Sequence, residues 1–252
     1  MKSKTAHHQE LVEILQAAAD PKTAEWFTNY LKGVIRYRGL KTAVLKQHLK
    51  DFFQQSGLDQ ESDNTQLEHI RFWLSQPMAE DKLIAILWLQ QWIKPQLKSP
   101  MGDPAAAQVL SLLEDVFLQG DIFDWSTNDW LCVRVMEAIP EYFPNQIPRL
   151  LGWSTAPSLW QRRSSLLSFK KSAKNGQHWE SVEELIRRLL PSEERFIQTA
   201  VGWVLSDISK KYPDYAYTLV EQHFSHLSHE VILRHTKYLP QHQALKIHSK
   251  NR

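Results

Sequence analysis

The run Gly120-Asp121-Ile122-Phe123-Asp124-Trp125-Ser126-Thr127-Asn128-Asp129-Trp130 sets three carboxylates and two indoles within eleven residues. A carboxylate can move a proton or stabilise developing positive charge, and an indole face attracts cations. The same residues also have a purely structural use. Ser126 as a helix N-cap with Asp129 three residues on resembles a capping box with Asp in place of Glu, and Trp125 and Trp130 would form its hydrophobic staple. The two uses are compatible, because an Asp in a first turn beside an exposed indole faces whatever docks at that helix end.

Three further segments carry candidate chemistry. Leu159-Trp160-Gln161-Arg162-Arg163-Ser164-Ser165 offers guanidinium groups that either pair with carboxylates or grip phosphates bidentately. In the run 195–205, Gly202 stands in a strong helical pattern, where it costs about 1 kcal/mol relative to Ala. A neighbouring helix or a ligand must therefore come close to its backbone. Residues 30–42, from Tyr30 through Lys32, Arg36, Arg38 and Lys41, form a basic connection interleaved with aromatics. It leads into a helix expected to be capped by Thr42, and such a helix start can bind phosphate.

Other catalytic signatures are missing. There is no Gly-rich phosphate loop and no Gly-x-Ser-x-Gly elbow, and Cys132 sits in an apolar helical run where packing is its expected role. His223, His226 and His229 invite a metal reading, but His229-Glu230 is followed by Leu233 where a zinc helix needs its second His. Neither a metal nor a cofactor is expected.

The elements that must position these residues are helical. Apolar residues recur at three- and four-residue spacing, as in Leu11, Ile14 and Leu15 or Val182, Leu185 and Leu189, with almost no strand-like alternation. Pro, Gly and Asp-Pro signals divide the 252 residues into about a dozen expected helices of roughly 10 to 20 residues. Residues 83–89 are apolar on every face, which requires helices on both sides. Helix pairs recur at roughly 35 to 45 residues, the period of armadillo and HEAT-type repeats. The expected fold is all-α, a superhelical solenoid of HEAT-like antiparallel helix pairs in a single domain over 1–252, with a compact orthogonal bundle as the alternative. One cysteine excludes a disulfide framework and fits a reducing compartment. No apolar run approaches the roughly 20 residues of a membrane span, and no apolar leader follows Met1-Lys2-Ser3-Lys4. A soluble, cytoplasmic protein is the expectation.

Formal net charge is only +2, but the charges are segregated. Residues 26–50, 142–175 and 231–252 contain no Asp or Glu and hold seventeen of the 30 basic residues. Such segregation either solvates helix faces or builds one basic surface for a polyanion, here expected on the concave face. In the second reading Lys32, Arg36, Arg38 and Lys41, with Thr42, and Arg162, Lys170 and Lys171 contact the polyanion.

Together the four segments resemble the AlkD-like DNA alkylation repair glycosylases, a family of HEAT-like repeats, over roughly residues 10–240. The Phe-Ile-Gln-x-Ala-x-Gly-Trp-Val-Leu run at 196–205 is the most specific part, supported by residues 30–42 and by Trp160-Gln161-Arg162-Arg163. The family's doubled Trp before an acid reads Asp124-Trp125-Ser126 here, and the basic residue often seen after its Trp-Val-Leu is Ser206. The resemblance implies a catalytic cleft lined by Trp125, Asp129 and Arg163, with Trp203 and Tyr30 as further cleft aromatics. It also implies a monomer that excises 7-methylguanine and 3-methyladenine from double-stranded DNA, and by that function an association with the nucleoid. The family also contains non-catalytic binders of branched or distorted DNA, which is the alternative function.

Overall fold

The three- and four-residue apolar spacing becomes helix along nearly the whole chain. In a computed structural model describing residues 2–250, sixteen α-helices follow one another, joined by short turns, and no β-strand occurs among the described residues. No helix there is long and apolar enough to cross a membrane. The contacts divide the chain into two compact units, Met1–Val135 and Met136–Arg252.

The first unit comprises α1 (Lys4–Ala17), α2 (Pro21–Tyr30), α3 (Thr42–Ser56), α4 (Asp63–Leu74), α5 (Ala79–Ile93), α6 (Gly102–Leu118) and α7 (Trp125–Leu131). Its centre is α5, packed against α3, α4 and α7. Every residue of 83–89 is at most 5% exposed, as the all-round apolar pattern requires. Local chemistry fixes the ends. Asp20 accepts the Lys22 and Thr23 amides with Pro21 opening α2, Ser62 caps α4, and left-handed Gly57 ends α3.

The second unit comprises α8 (Ala138–Tyr142), α9 (Ile147–Gly152), α10 (Leu159–Leu167), α11 (Lys170–Lys174), α12 (Trp179–Leu189), α13 (Arg195–Ser209), α14 (Pro213–Gln222), α15 (His229–His235) and α16 (His242–Lys250). Here α13 is central, touching α10, α11, α14 and α15. A Cβ added at Gly202 would lie 2.5 Å from the His235 ring, so the close neighbour expected at this glycine is α15.

Helices are more numerous and shorter than the sequence suggests. The excess falls at 138–174, where α8, α9 and α11 have only five or six residues. Pro144 and Pro157 lie between the α-helices there and Pro140 and Pro148 in first turns, where the missing N–H is tolerated but a longer helix cannot run through.

Candidate functional site

The supports for the candidate residues of the first unit begin at α5. Its first turn carries three consecutive buried charges, Glu80, Asp81 and Lys82, each at most 1% exposed. Acids are favoured at a helix start, and these two also organise the connection ahead of α3. The Glu80 carboxylate accepts the backbone N–H groups of Arg38, Gly39 and Leu40 at 2.9, 2.8 and 3.2 Å. Asp81 takes the Arg38 guanidinium through both oxygens, at 2.9 and 3.2 Å, with His8 Nε2 at 3.6 Å. The Ala79 amide donates to the Arg36 carbonyl. Gly39 adopts φ +98°, and a Cβ there would lie 2.1 Å from the Asp20 carbonyl oxygen, so only glycine passes beneath the start of α2. Lys82 Nζ donates to the Leu74 carbonyl at 2.6 Å and lies 5.3 Å from the centre of the Phe123 ring. Burial pushes its pKa down to about 8, against the attraction of Asp121 and Asp124.

These groups lead to α7. Arg71 Nη1 holds Asp121 at 2.7 Å. Asp124, 1% exposed, is the N-cap: its Oδ1 accepts the amides of Ser126 and Thr127 at 2.8 and 3.1 Å, and both hydroxyls donate to the same carboxylate. This corrects the expected capping box. Ser126 is not the cap, Trp125 is the first helical residue, and Asp129 is the fifth, beyond the turn where the helix dipole acts. Asp124 wins because one carboxylate satisfies two amides and two hydroxyls at once. The correction puts Trp125 and Asp129 at i and i+4 on one face of α7, with the Asp129 side chain leaning toward the turn that carries the indole. Both are half-buried. Immediately afterwards Cys132–Met136 form a π-helical turn, and Cys132 is fully buried.

Aromatic rings continue the Trp125 side. The Tyr30 ring meets the indole edge-on with centres 5.5 Å apart, and Tyr37 packs with Trp125 against Leu31, Ile35 and Ala79. Tyr37 Oη lies 3.4 Å from Ser126 Oγ, and burial pushes its pKa up to about 12. Around these rings Lys32, Arg36 and Lys41 are exposed, whereas Arg38 is turned inward to Asp81. Thr42 is the first residue of α3 and not its cap; that place belongs to Lys41, which makes no side-chain capping bond.

In the second unit the predicted basic residues have protein partners. Arg162 bonds the carbonyls of Ala156 and Pro157, each at 2.9 Å, and pairs with Glu194. Arg163 is 4% exposed and donates to the Phe196 carbonyl and, at 3.2 Å, to Thr199 Oγ1, tying α10 to the first turn of α13. A phosphate reaches this guanidinium only by exchanging bonds it already makes. Lys170 lies 2.9 Å from Glu137 and 3.4 Å from Asp207, and its ammonium sits 4.7 Å from the centre of the half-buried Trp203 ring. One face of Trp203 is thus already occupied by a cation, and burial raises the Glu137 pKa against the pull of Lys170. Lys171, more exposed, pairs with Glu141 at 2.6 Å.

Sequence reasoning missed the Glu80-Asp81-Lys82 trio. Its signal was present, three charges directly ahead of the all-apolar run, but the partners of Glu80 and Asp81 lie some 40 residues away. Among the described residues no group of three or more His, Cys, Asp or Glu is arranged to hold a metal.

No curated protein matches the chain. Among solved structures it is similar to one described as "Predicted DNA alkylation repair enzyme from Enterococcus faecalis", with 19% identity, a TM-score of 0.69, and coverage of 90% of this chain and 94% of that one. At that identity the likeness establishes a shared all-helical fold. The profile of the family described as "DNA alkylation repair enzyme" matches residues 11–239, a span that contains all four segments singled out above. The chain belongs to this AlkD-like family of DNA alkylation repair enzymes.

Proposed function

We propose that this protein is a DNA glycosylase acting as a monomer on double-stranded DNA, releasing purines that alkylation has made cationic, 7-methylguanine and 3-methyladenine. The observation that carries the reading is the pairing of Trp125 and Asp129 one turn apart on α7, a helix whose start is fixed by the buried Asp124. An alkylated purine leaves as a neutral base, so its departure needs neither protonation nor a metal. The C1′–N bond breaks, its electron pair neutralises the ring, and positive charge develops on the sugar as in glycoside hydrolysis. The Asp129 carboxylate stabilises that charge and orients the water that adds to C1′ and gives up a proton, leaving an abasic site. The Trp125 face attracts the cationic base or sugar, a contribution of about 0.5–2 kcal/mol. Lys32, Arg36 and Lys41 neutralise phosphates. Arg163, already bonded to α13, acts first as a positioning residue for that helix and its Trp203.

The test is release of free base from duplex DNA carrying labelled methylated purines, followed by chromatography. Appearance of 7-methylguanine or 3-methyladenine supports the reading. Tight DNA binding without release overturns it in favour of a non-catalytic binder of branched or distorted DNA.

A further inference from the structure

Beside the candidate site, α2 presents an aromatic surface that the excision chemistry does not use. Trp26 and Tyr30 stack at i and i+4, with ring centres 5.0 Å apart and planes 12° from parallel, yet remain 57% and 55% exposed. Phe27 braces Trp26 edge-on at 5.0 Å and is itself stacked on Tyr37 at 4.2 Å. An indole held between two rings has little conformational freedom left to lose, which favours binding of a flat partner. Trp26 and Phe27, with Lys22, Thr23 and Lys41, line an open groove of about 440 Å³. Both lysines are exposed, and the nearby Asp20 carboxylate is committed to capping α2. Glu25 is the one other acid of this helix.

A rigid, exposed aromatic wall with cations at the rim has the chemistry of a nucleotide subsite: the ring stacks a base of any sequence, and the ammonium groups hold its phosphates. We propose that this groove takes one unpaired base of the bound DNA strand, stacked on Trp26, with the flanking phosphates on Lys22 and Lys41. The rings Trp26, Tyr30 and Trp125 touch in sequence, so the subsite adjoins the α7 residues. The proposal rests on the reading that the protein binds DNA, and it deepens that reading by adding a contact outside the reacting residues.

Fluorescence anisotropy with two duplexes tests it, one fully paired and one carrying a single bulged 2-aminopurine. The wild-type protein binds both and quenches the 2-aminopurine through stacking. Trp26→Ala lowers affinity for the bulged duplex at least fivefold more than for the paired one and abolishes the quench, while Trp26→Phe retains most of both. Lys22→Gln, an exposed position that lines the groove and has no assigned part in binding the paired duplex, gives a loss in the same sense and serves if Trp26→Ala folds poorly. An equal loss on the two duplexes, or no loss, overturns the groove and leaves the proposed function standing. Failure of the wild-type protein to bind either duplex overturns both.

Discussion

Two acid-free basic stretches that look alike in sequence end differently in the folded protein. In residues 26–50, Arg38 is drawn inward to Asp81, while Lys32, Arg36 and Lys41 remain exposed around the Tyr30, Tyr37 and Trp125 rings. In residues 142–175, Arg162, Lys170 and Lys171 are paired with Glu194, with Glu137 and Asp207, and with Glu141, and Arg163 is bonded to α13. An absence of acids along the chain therefore says little about acids in space. Of the two buried carboxylates that reach the first stretch, Glu80 is taken up by three backbone amides and Asp81 by Arg38, which leaves Lys32, Arg36 and Lys41 without either of them.

The comparison is broken most forcefully at Glu80. Glu80→Ala leaves three buried amides without their acceptor and should lower the unfolding free energy by about 3–5 kcal/mol, measured by urea denaturation. A loss below 1 kcal/mol would mean that the connection holds itself. Gly39→Ala should follow, at about 2 kcal/mol or more, because the backbone conformation and the Asp20 carbonyl both reject a Cβ.

Next comes the pH dependence set by Lys82. The unfolded chain keeps this proton to about pH 10.5, whereas the folded protein releases it near 8. Unfolding therefore takes up a proton in between, and stability should rise between pH 8 and 10 by about 1–2 kcal/mol. Lys82→Met should flatten that rise; above pH 10 the half-buried Tyr37, whose pKa is raised, acts in the opposite sense.

For the two stretches themselves, replacing Lys32, Arg36 and Lys41 together by Gln should weaken DNA binding about tenfold and reduce the salt slope by about 0.9 for each phosphate no longer neutralised. Replacing Lys171 by Gln should change either much less, and equal effects would erase the distinction. Smallest of all is Glu194→Gln, which removes the partly exposed partner of Arg162 and should cost below about 1 kcal/mol.

What the sequence reveals follows from the range of the interactions involved. The burial of 83–89 is legible because an all-apolar run has no alternative, whereas the Trp125–Asp129 face is not, because a cap read at Ser126 leaves Trp125 outside the helix. The cap of α7 is harder: Asp124 and Ser126 are both good caps, and the choice depends on how many donors one carboxylate gathers in three dimensions. The short helices α8, α9 and α11 lack the length to show a periodicity. The partners of Arg38, Lys170 and Arg163 lie 33 to 43 residues away, a distance at which sequence pattern is silent. Membership of the family was legible through residues 196–205, where Gly202 makes room for His235.

The most direct test of the account is single-turnover excision of a methylated purine by Asp129→Asn, with thermal unfolding and DNA affinity measured on the same preparation. Loss of at least 100-fold in rate, with stability and affinity close to wild type, is the predicted result. A rate near that of the wild-type protein would remove Asp129 from the chemistry and contradict the account.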